Sequence, residues 1–151
     1  MKINVISISK RDKKFDMVNS DFLKMSIKYS KINDIILFNN QIAKFQQLSL
    51  VNDSKKSYSK ILQPHLGKFN IALDVNGKGV DSFEFAKLLE NQSEVNFFIA
   101  GAYGFEKDFI DKCNSTISLS SLTMSHQLAK SVLFEQIFRG LSINNNHPYH
   151  K

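Results

Sequence analysis

The sequence predicts an α/β fold, a mainly parallel sheet flanked by helices, and three observations carry that expectation. Segments with strand-like patterning alternate with segments of helical periodicity along the whole chain. The strand-like segments carry apolar residues on both faces, as strands covered by helices on two sides must. The chain has 151 residues, 42% hydrophobic and 23% charged, which suits a single domain around one sizeable core and argues against disorder.

The elements follow in order. Residues 2–9 place Ile3, Val5, Ile6 and Ile8 on both faces, which predicts an interior strand. Residues 10–14 (KRDKK) form a basic turn. Phe15, Val18, Phe22, Met25 and Tyr29 then recur at spacings of three and four, which predicts a helix with that stripe in the core. Residues 34–38 (DIILF) read as a second strand, and residues 39–50 as a weak helix through Ile42, Phe45 and Leu48. Residues 52–60 (NDSKKSYSK) show no periodicity and read as a mobile basic loop. Such a loop is either a solvated surface or, with Tyr58 set among Lys55, Lys56 and Lys60, a place for phosphate contact and base stacking.

Pro64 limits the helical turn before it, and residues 69–74 (FNIALD) form a third strand, with Gly77 and Gly79 marking the turn that follows. Asp81 and Glu84 have capping-box spacing and Val80 faces Phe85 as a hydrophobic staple, so a helix is predicted over 82–91. Residues 94–100 (EVNFFIA) are a fourth strand running into GAYGF, and a short helix over 106–113 precedes a fifth strand around Ile117 and Leu119. Over residues 127–141, Ala129, Leu133, Phe134, Ile137, Phe138 and Leu141 fill about half of a helical circumference, interrupted only by Lys130. Two readings are open: a buried C-terminal helix, or an arc that partly packs on a second copy of the chain. Glu135 and Arg139 can pair on its other face.

Formal charge +6 and a pI of 9.4 favour a polyanionic partner, nucleic acid above others, although the same charge also serves solubility. No apolar run approaches the ~20 residues of a membrane span, and the first residues lack a signal-peptide pattern, so a cytoplasmic location is expected. The single Cys113 excludes an intramolecular disulfide framework and a thiolate metal cluster. There is no HExxH, GxSxG or P-loop lysine, and GAYG lacks the GxGxxG spacing. No metal site is expected. Ligands of such sheets bind beyond the carboxyl ends of the strands, which selects the loops after Leu73 and after Ala100 and the serine-rich loop 119–124.

With FNIALD, FIAGAYGF (98–105), SLSSLT (118–123), HQLAKSVLFEQIFR (126–139) and the terminal NHPYHK (146–151) in view, the chain resembles the RlmH family. These are ribosomal large subunit pseudouridine N3-methyltransferases of the SPOUT superfamily. The resemblance spans the whole chain and is most specific in its last third. It implies a C-terminal trefoil knot, a homodimer, S-adenosylmethionine (SAM) as methyl donor, and a pseudouridine of 23S rRNA in the assembled ribosome as substrate. It places Leu73, Ala100, Gly101, Leu119, Ser120, Ser121, Leu122, Thr123 and Met124 on the SAM-binding segments. The chain has Ala100 and Gly101 where the family usually has two glycines.

Methylating a pseudouridine N3 requires removing its proton or stabilising the anion left behind. The candidates are His126, Arg139, Asn146, His147, Tyr149, His150 and Lys151. His126 follows the SAM loop and is either catalytic or simply a residue at the start of a helix. Resemblance to the family's terminal motif places Tyr149 and His150 at the active site. Arg139, His147 and Lys151, with Lys55, Lys56 and Lys60, are the candidate RNA contacts. Two alternatives stay open: a ribose 2'-O-methyltransferase of the same superfamily, and a noncatalytic ribosome-binding module.

Overall fold

A computed structural model describes residues 1–151. The elements alternate as β1 (Lys2–Ile8), α1 (Lys13–Ser26), β2 (Lys31–Leu37), α2 (Asn40–Gln47), α3 (Val51–Leu62), β3 (Asn70–Gly79), α4 (Ser82–Leu89), β4 (Glu94–Ile99), α5 (Lys107–Asp111), β5 (Ser115–Ser118) and α6 (His126–Asn144). The five strands form one sheet in the order β2-β1-β4-β3-β5, and every pairing is parallel. β1 and β4 are interior strands, as their doubly apolar sequences predict.

Alternation along the strands sorts the core into two layers. Ile3 and Val5 of β1, with Val95, Phe97 and Ile99 of β4, pack on one face against Phe85 and Leu89 of α4 and Leu133, Phe134, Ile137 and Leu141 of α6, with Phe22 and Leu23 of α1 at the margin. Ile6 and Ile8, with Ala72 and Phe98, pack on the other against Ile42 of α2, Tyr58 and Leu62 of α3, and Phe109 of α5. α4 opens with the capping box read from the sequence: Asp81 Oδ1 accepts from the Glu84 amide at 2.8 Å and Glu84 Oε2 accepts from the Asp81 amide at 2.9 Å.

One polar row crosses this apolar sheet. The register sets Asn33, Asn4, Asn96 and Asn70 side by side on β2, β1, β4 and β3. Their amides form a chain: Asn33 donates to Asn4 at 2.8 Å, Asn4 to Asn96 at 2.7 Å, and Asn96 to Asn70 at 3.3 Å. Asn96 also donates to Glu94 Oε1 at 3.1 Å, and that bond, ahead of the nearby Lys2 charge, holds the Glu94 carboxyl below its ordinary value of 4.5. Gly67 lies over the row so closely that a Cβ there would sit 2.5 Å from the Asn96 amide nitrogen.

Three expectations need correction, and one open choice is decided. The stretch 52–60 is a helix within α3; its inward residues Ser54, Ser57, Tyr58 and Leu62 keep helical spacing, but two of them are serines, so hydropathy hides the period. Gly77 and Gly79 do not mark a turn after residue 74 but belong to β3, whose pairing with β5 jumps from Leu73 to Lys78 and lets residues 74–77 bulge out. In α1 the stripe is not wholly core, since Val18 is 47% exposed while Asn19 and Ser26 are buried. These polar residues close onto α6 and α1 itself: Asn19 accepts from Ser131 at 2.6 Å, and Ser26 donates to the Phe22 carbonyl at 2.8 Å. Finally, of the two readings left open for α6, the buried helix holds: the wide arc is covered by its own chain, between α1 and α4. Leu133, Phe134, Ile137, Phe138 and Leu141 are all buried, while Ala129 at the start of the arc is partly exposed on the wall of a cleft.

The amide row yields a stability prediction. Asn96→Ala leaves the buried Asn4 and Asn70 amides short of partners and is expected to cost about 2–4 kcal/mol in urea unfolding. Glu94 adds a sign: a lowered carboxyl value gives stability that is present above 4.5 and lost as pH falls through the folded value. That acid-linked loss should shrink in Asn96→Ala; a variant as stable and as acid-sensitive as the parent would remove the row from the account.

Candidate active site

The carboxyl ends of β3, β4 and β5 enclose a cleft of about 610 Å³. Its walls are the three loops selected from the sequence. Leu73, Ala100, Gly101, Leu119, Ser120, Leu122, Thr123 and Met124 line it, whereas Ser121 is exposed and does not. The loop 119–125 leaves the edge strand β5 and delivers α6 to the other side of the sheet, where Gln127 Nε2 donates to the Lys10 carbonyl at 2.7 Å. Ser118 Oγ donates to the Ser120 carbonyl at 2.8 Å, and Ser120 Oγ accepts from the Leu122 amide at 3.0 Å, so the serines shape the loop as well as facing the cleft.

Sequence reasoning missed several lining residues. Asp74, Val75 and Asn76 reach the cleft through the β3 bulge, and Ala102, Tyr103 and Phe105 through the GAYGF loop. Lys55 lines it because α3 is a helix; Lys56 and Lys60, one turn apart, stay exposed on the far side. Gly101 is required for a reason invisible in the sequence: a Cβ there would lie 2.5 Å from the Tyr58 ring. Tyr58 is fully buried, its hydroxyl donates to Gln46 Oε1, and burial raises its pKa, so it stays protonated beneath the loop. Ala100 is 7% exposed and packs in the same layer. Gly104 adopts φ +79°, a left-handed conformation that carries the loop back over the cleft.

His126 opens α6 at the cleft wall. Burial first, and then the Lys130 charge one turn along, lower its pKa, so the ring is neutral near pH 7 and able to accept a proton. Lys130 is 2% exposed, with its Nζ 2.7 Å from Asp34 Oδ1 and 3.4 Å from Ser7 Oγ. The break in the apolar arc is therefore a buried lysine whose ion pair with the more exposed Asp34 pins α6 to β1 and β2.

The terminal motif folds elsewhere within the same chain. Tyr149 and His150 turn back onto the middle of α6, about 13 Å along the axis from His126. Arg139 organises them: it binds Glu135 Oε1 at 3.0 and 2.6 Å, meets His150 Nδ1 at 3.1 Å, and lies 4.8 Å from the Tyr149 ring centre. Arginine can only donate, so Nδ1 accepts and the His150 proton sits on Nε2. Tyr149 donates to Glu135 Oε1 at 3.1 Å; burial and that carboxylate raise its pKa. His147 packs edge-on near Tyr29 and its Nδ1 has no hydrogen-bond partner; Lys151 is exposed. None of these tail residues lines the cleft of their own chain.

Comparison with known proteins settles the family. A model described as predicted SPOUT methyltransferase matches residues 1–150. The chain belongs to the SPOUT methyltransferase family. Proteins named ribosomal RNA large subunit methyltransferase H are similar to it along their whole length: that of Aliarcobacter butzleri is 52% identical and that of Sulfurovum sp. 53%, each with 100% of both chains covered. A solved structure from Haemophilus influenzae, described as a "probable methylase family protein", shares the fold with TM-score 0.60 over 99% of this chain and 70% of its own, at 9% identity.

No group of three His, Cys, Asp or Glu side chains in this SPOUT methyltransferase is placed to hold a metal ion. The Cys113 thiol is pushed by burial up to about 11, so it is protonated and a poor nucleophile. A valine at position 101 is expected to act through the core rather than through the cleft, contrary to the simple reading that it would only crowd a ligand. Because the Tyr58 ring is pinned, Gly101→Val should lower unfolding free energy by about 2–3 kcal/mol or prevent folding. Wild-type melting in that variant would show that the loop moves freely away from Tyr58.

A second outcome concerns charge. The His126 imidazole should titrate below 6.5 by NMR and shift upward in Lys130→Met, since one of the two causes of its lowering is removed. Its lowered value gives stability that is present above 6.5 and lost as pH falls from there through the folded value; an unshifted midpoint in the variant would place Lys130 out of reach.

Proposed function

We propose that this SPOUT methyltransferase transfers a methyl group from SAM to N3 of a pseudouridine in 23S rRNA of the assembled ribosome, acting in the cytoplasm as a homodimer. The observation that carries the reading is the cleft itself. Its apolar walls, Leu73, Ile99, Leu119 and Leu122, suit a nucleoside, while the backbone of the 100–104 and 119–125 loops offers polar groups for its edges. Asp74 on the rim provides a carboxylate for a cationic ligand. The relatives' name supports large-subunit rRNA as the substrate, and the net charge of +6 suits it. The path of 119–126, from the edge strand β5 across the cleft to the β1–α1 connection, supports a trefoil-knotted C-terminal region.

SAM supplies an activated methyl group, so no metal is called for and the protein's work is positioning and proton handling. His126, neutral at the cleft wall, is placed to accept a proton from an acceptor base. His150 presents Nε2–H, and Tyr149 keeps its proton and can turn it from Glu135 to the substrate, so these two donate hydrogen bonds to the carbonyl oxygens that gain charge as N3 loses its proton. Because they do not reach their own cleft, the reading requires them to enter the partner's. Exposed Met17 and Val18 of α1 and Leu128 of α6 support an isologous contact, since the α6 arc is already covered. Arg139, with Glu135, holds the tail in shape, and Lys56 and Lys60 add phosphate contacts on α3.

The test is complementation between chains. Tyr149→Ala combined with His150→Ala removes the tail's function, and Thr123→Trp fills the cleft from an exposed wall residue; each homodimer should be nearly inactive with labelled SAM and ribosomes lacking the methyl group. Re-equilibrated in equal amounts, half the dimers are hybrids with one intact site of two, and turnover should return to roughly a quarter of wild type by the symmetry of the contact. Hybrids confirmed by mass spectrometry but without activity would place the tail in its own subunit.

A further inference from the structure

A second cavity, of about 780 Å³, opens beside the cleft and shares Ala102 and His126 with it. It lies at the carboxyl end of β1, lined by Ser9, Lys10, Arg11, Lys13 and Phe38 among others. The three cations are exposed and only weakly engaged: Arg11 meets Asp16 at 3.2 Å with its side chain 75% exposed, and Lys10 Nζ rests 5.2 Å from the Phe38 ring centre. The one acid among them, Asp12, is taken up capping α1, where it accepts from the Lys14 amide at 3.0 Å. Ser9 is the independent sign of a ligand. It is 3% exposed, and its Oγ has no hydrogen-bond partner although hydroxyls buried this deeply are normally satisfied.

We propose that this cavity is the docking site for the RNA strand that carries the acceptor nucleotide. Lys10, Arg11 and Lys13 hold a phosphate of a neighbouring nucleotide, the Ser9 hydroxyl donates to it, and the neighbour's base stacks on Phe38 as Lys10 swings from the ring to the phosphate. His126, on the shared wall, then faces the acceptor base across from the methyl donor. The basic turn 10–14 thus gains a role that composition alone left open. The proposal rests on the methyltransferase reading only for which nucleotide is the acceptor; the strand-binding site stands on the cavity, the cations and the unpartnered serine.

The experiment compares the full-length protein with Lys10→Ala/Arg11→Ala/Lys13→Ala and with Ser9→Ala, using ribosomes that lack the methyl group. Cosedimentation gives affinity against salt, labelled SAM gives KM and kcat, and titration calorimetry gives SAM affinity. The triple variant should bind ribosomes about tenfold or more weakly near physiological salt, with a salt slope lower by about 2–3, while SAM affinity and melting stay at wild-type values. Ser9→Ala should melt at or above wild type, having no hydrogen bond to lose, yet raise KM about threefold to tenfold. Ultraviolet cross-linking should leave a nucleotide adduct on residues 9–13 or Phe38.

An unchanged slope and KM in the triple variant, or adducts to ribosomal protein in place of RNA, would overturn the site. Ribosome binding that follows these predictions without any methyl transfer by the unaltered protein would instead overturn the enzyme reading and leave the strand site standing.

Discussion

The row of amides from Asn33 through Asn4 and Asn96 to Asn70 holds four parallel strands in a single register. Parallel pairing between doubly apolar strands is weakly specified by burial, because a slip of two residues keeps the same faces inward and changes little of the apolar contact. A slip would, however, strand four amides in a layer where Asn96 is 1% exposed. The row therefore fixes where each strand ends. Since the cleft is built from the carboxyl ends of β3, β4 and β5, register at one end of the sheet becomes geometry at the other.

α6 depends on that geometry and completes it. Its first turn brings His126 to the cleft, its middle fills the core between α1 and α4, and its last turns hold the tail through Arg139. The Lys130–Asp34 pair, at 2.7 Å, joins the helix to the strand most distant from β5, the strand from which its chain arrives. Such a pair is weak evidence for net stability, because desolvating the Lys130 ammonium offsets much of the attraction. Its clearer consequences are positional: it fixes the depth of α6 against the sheet and holds the Lys130 charge where, after burial, it helps lower the His126 pKa.

The GAYGF loop shows the same economy of parts. It is supported from below by Tyr58 of α3 and opens above onto the cleft. Support and site thus meet at one residue, Gly101, which has no side chain because there is no room for one on the Tyr58 side. α3 supplies both the ring under the loop and, one turn earlier, Lys55 on the cleft wall. A stretch that composition alone presents as a solvated loop is a structural element of the site.

Sequence by itself determined the fold class, the interior strands, the Asp81 cap and the three loops that form the cleft. Each follows from local information: alternation, side-chain spacing within one turn, or the rule that places ligands beyond strand ends. It did not disclose α3, because serines face inward there and hydropathy carries no period. It left the arc of α6 open, because a wide apolar face looks the same whether a neighbouring helix or a second chain covers it; α1 and α4 cover it. Nor did it reveal that Gly101 answers to Tyr58, that Lys130 is paired with Asp34, or that Tyr149 folds onto Glu135. Those facts join residues 14 to 96 positions apart, and such contacts exist only once the chain has folded back on itself.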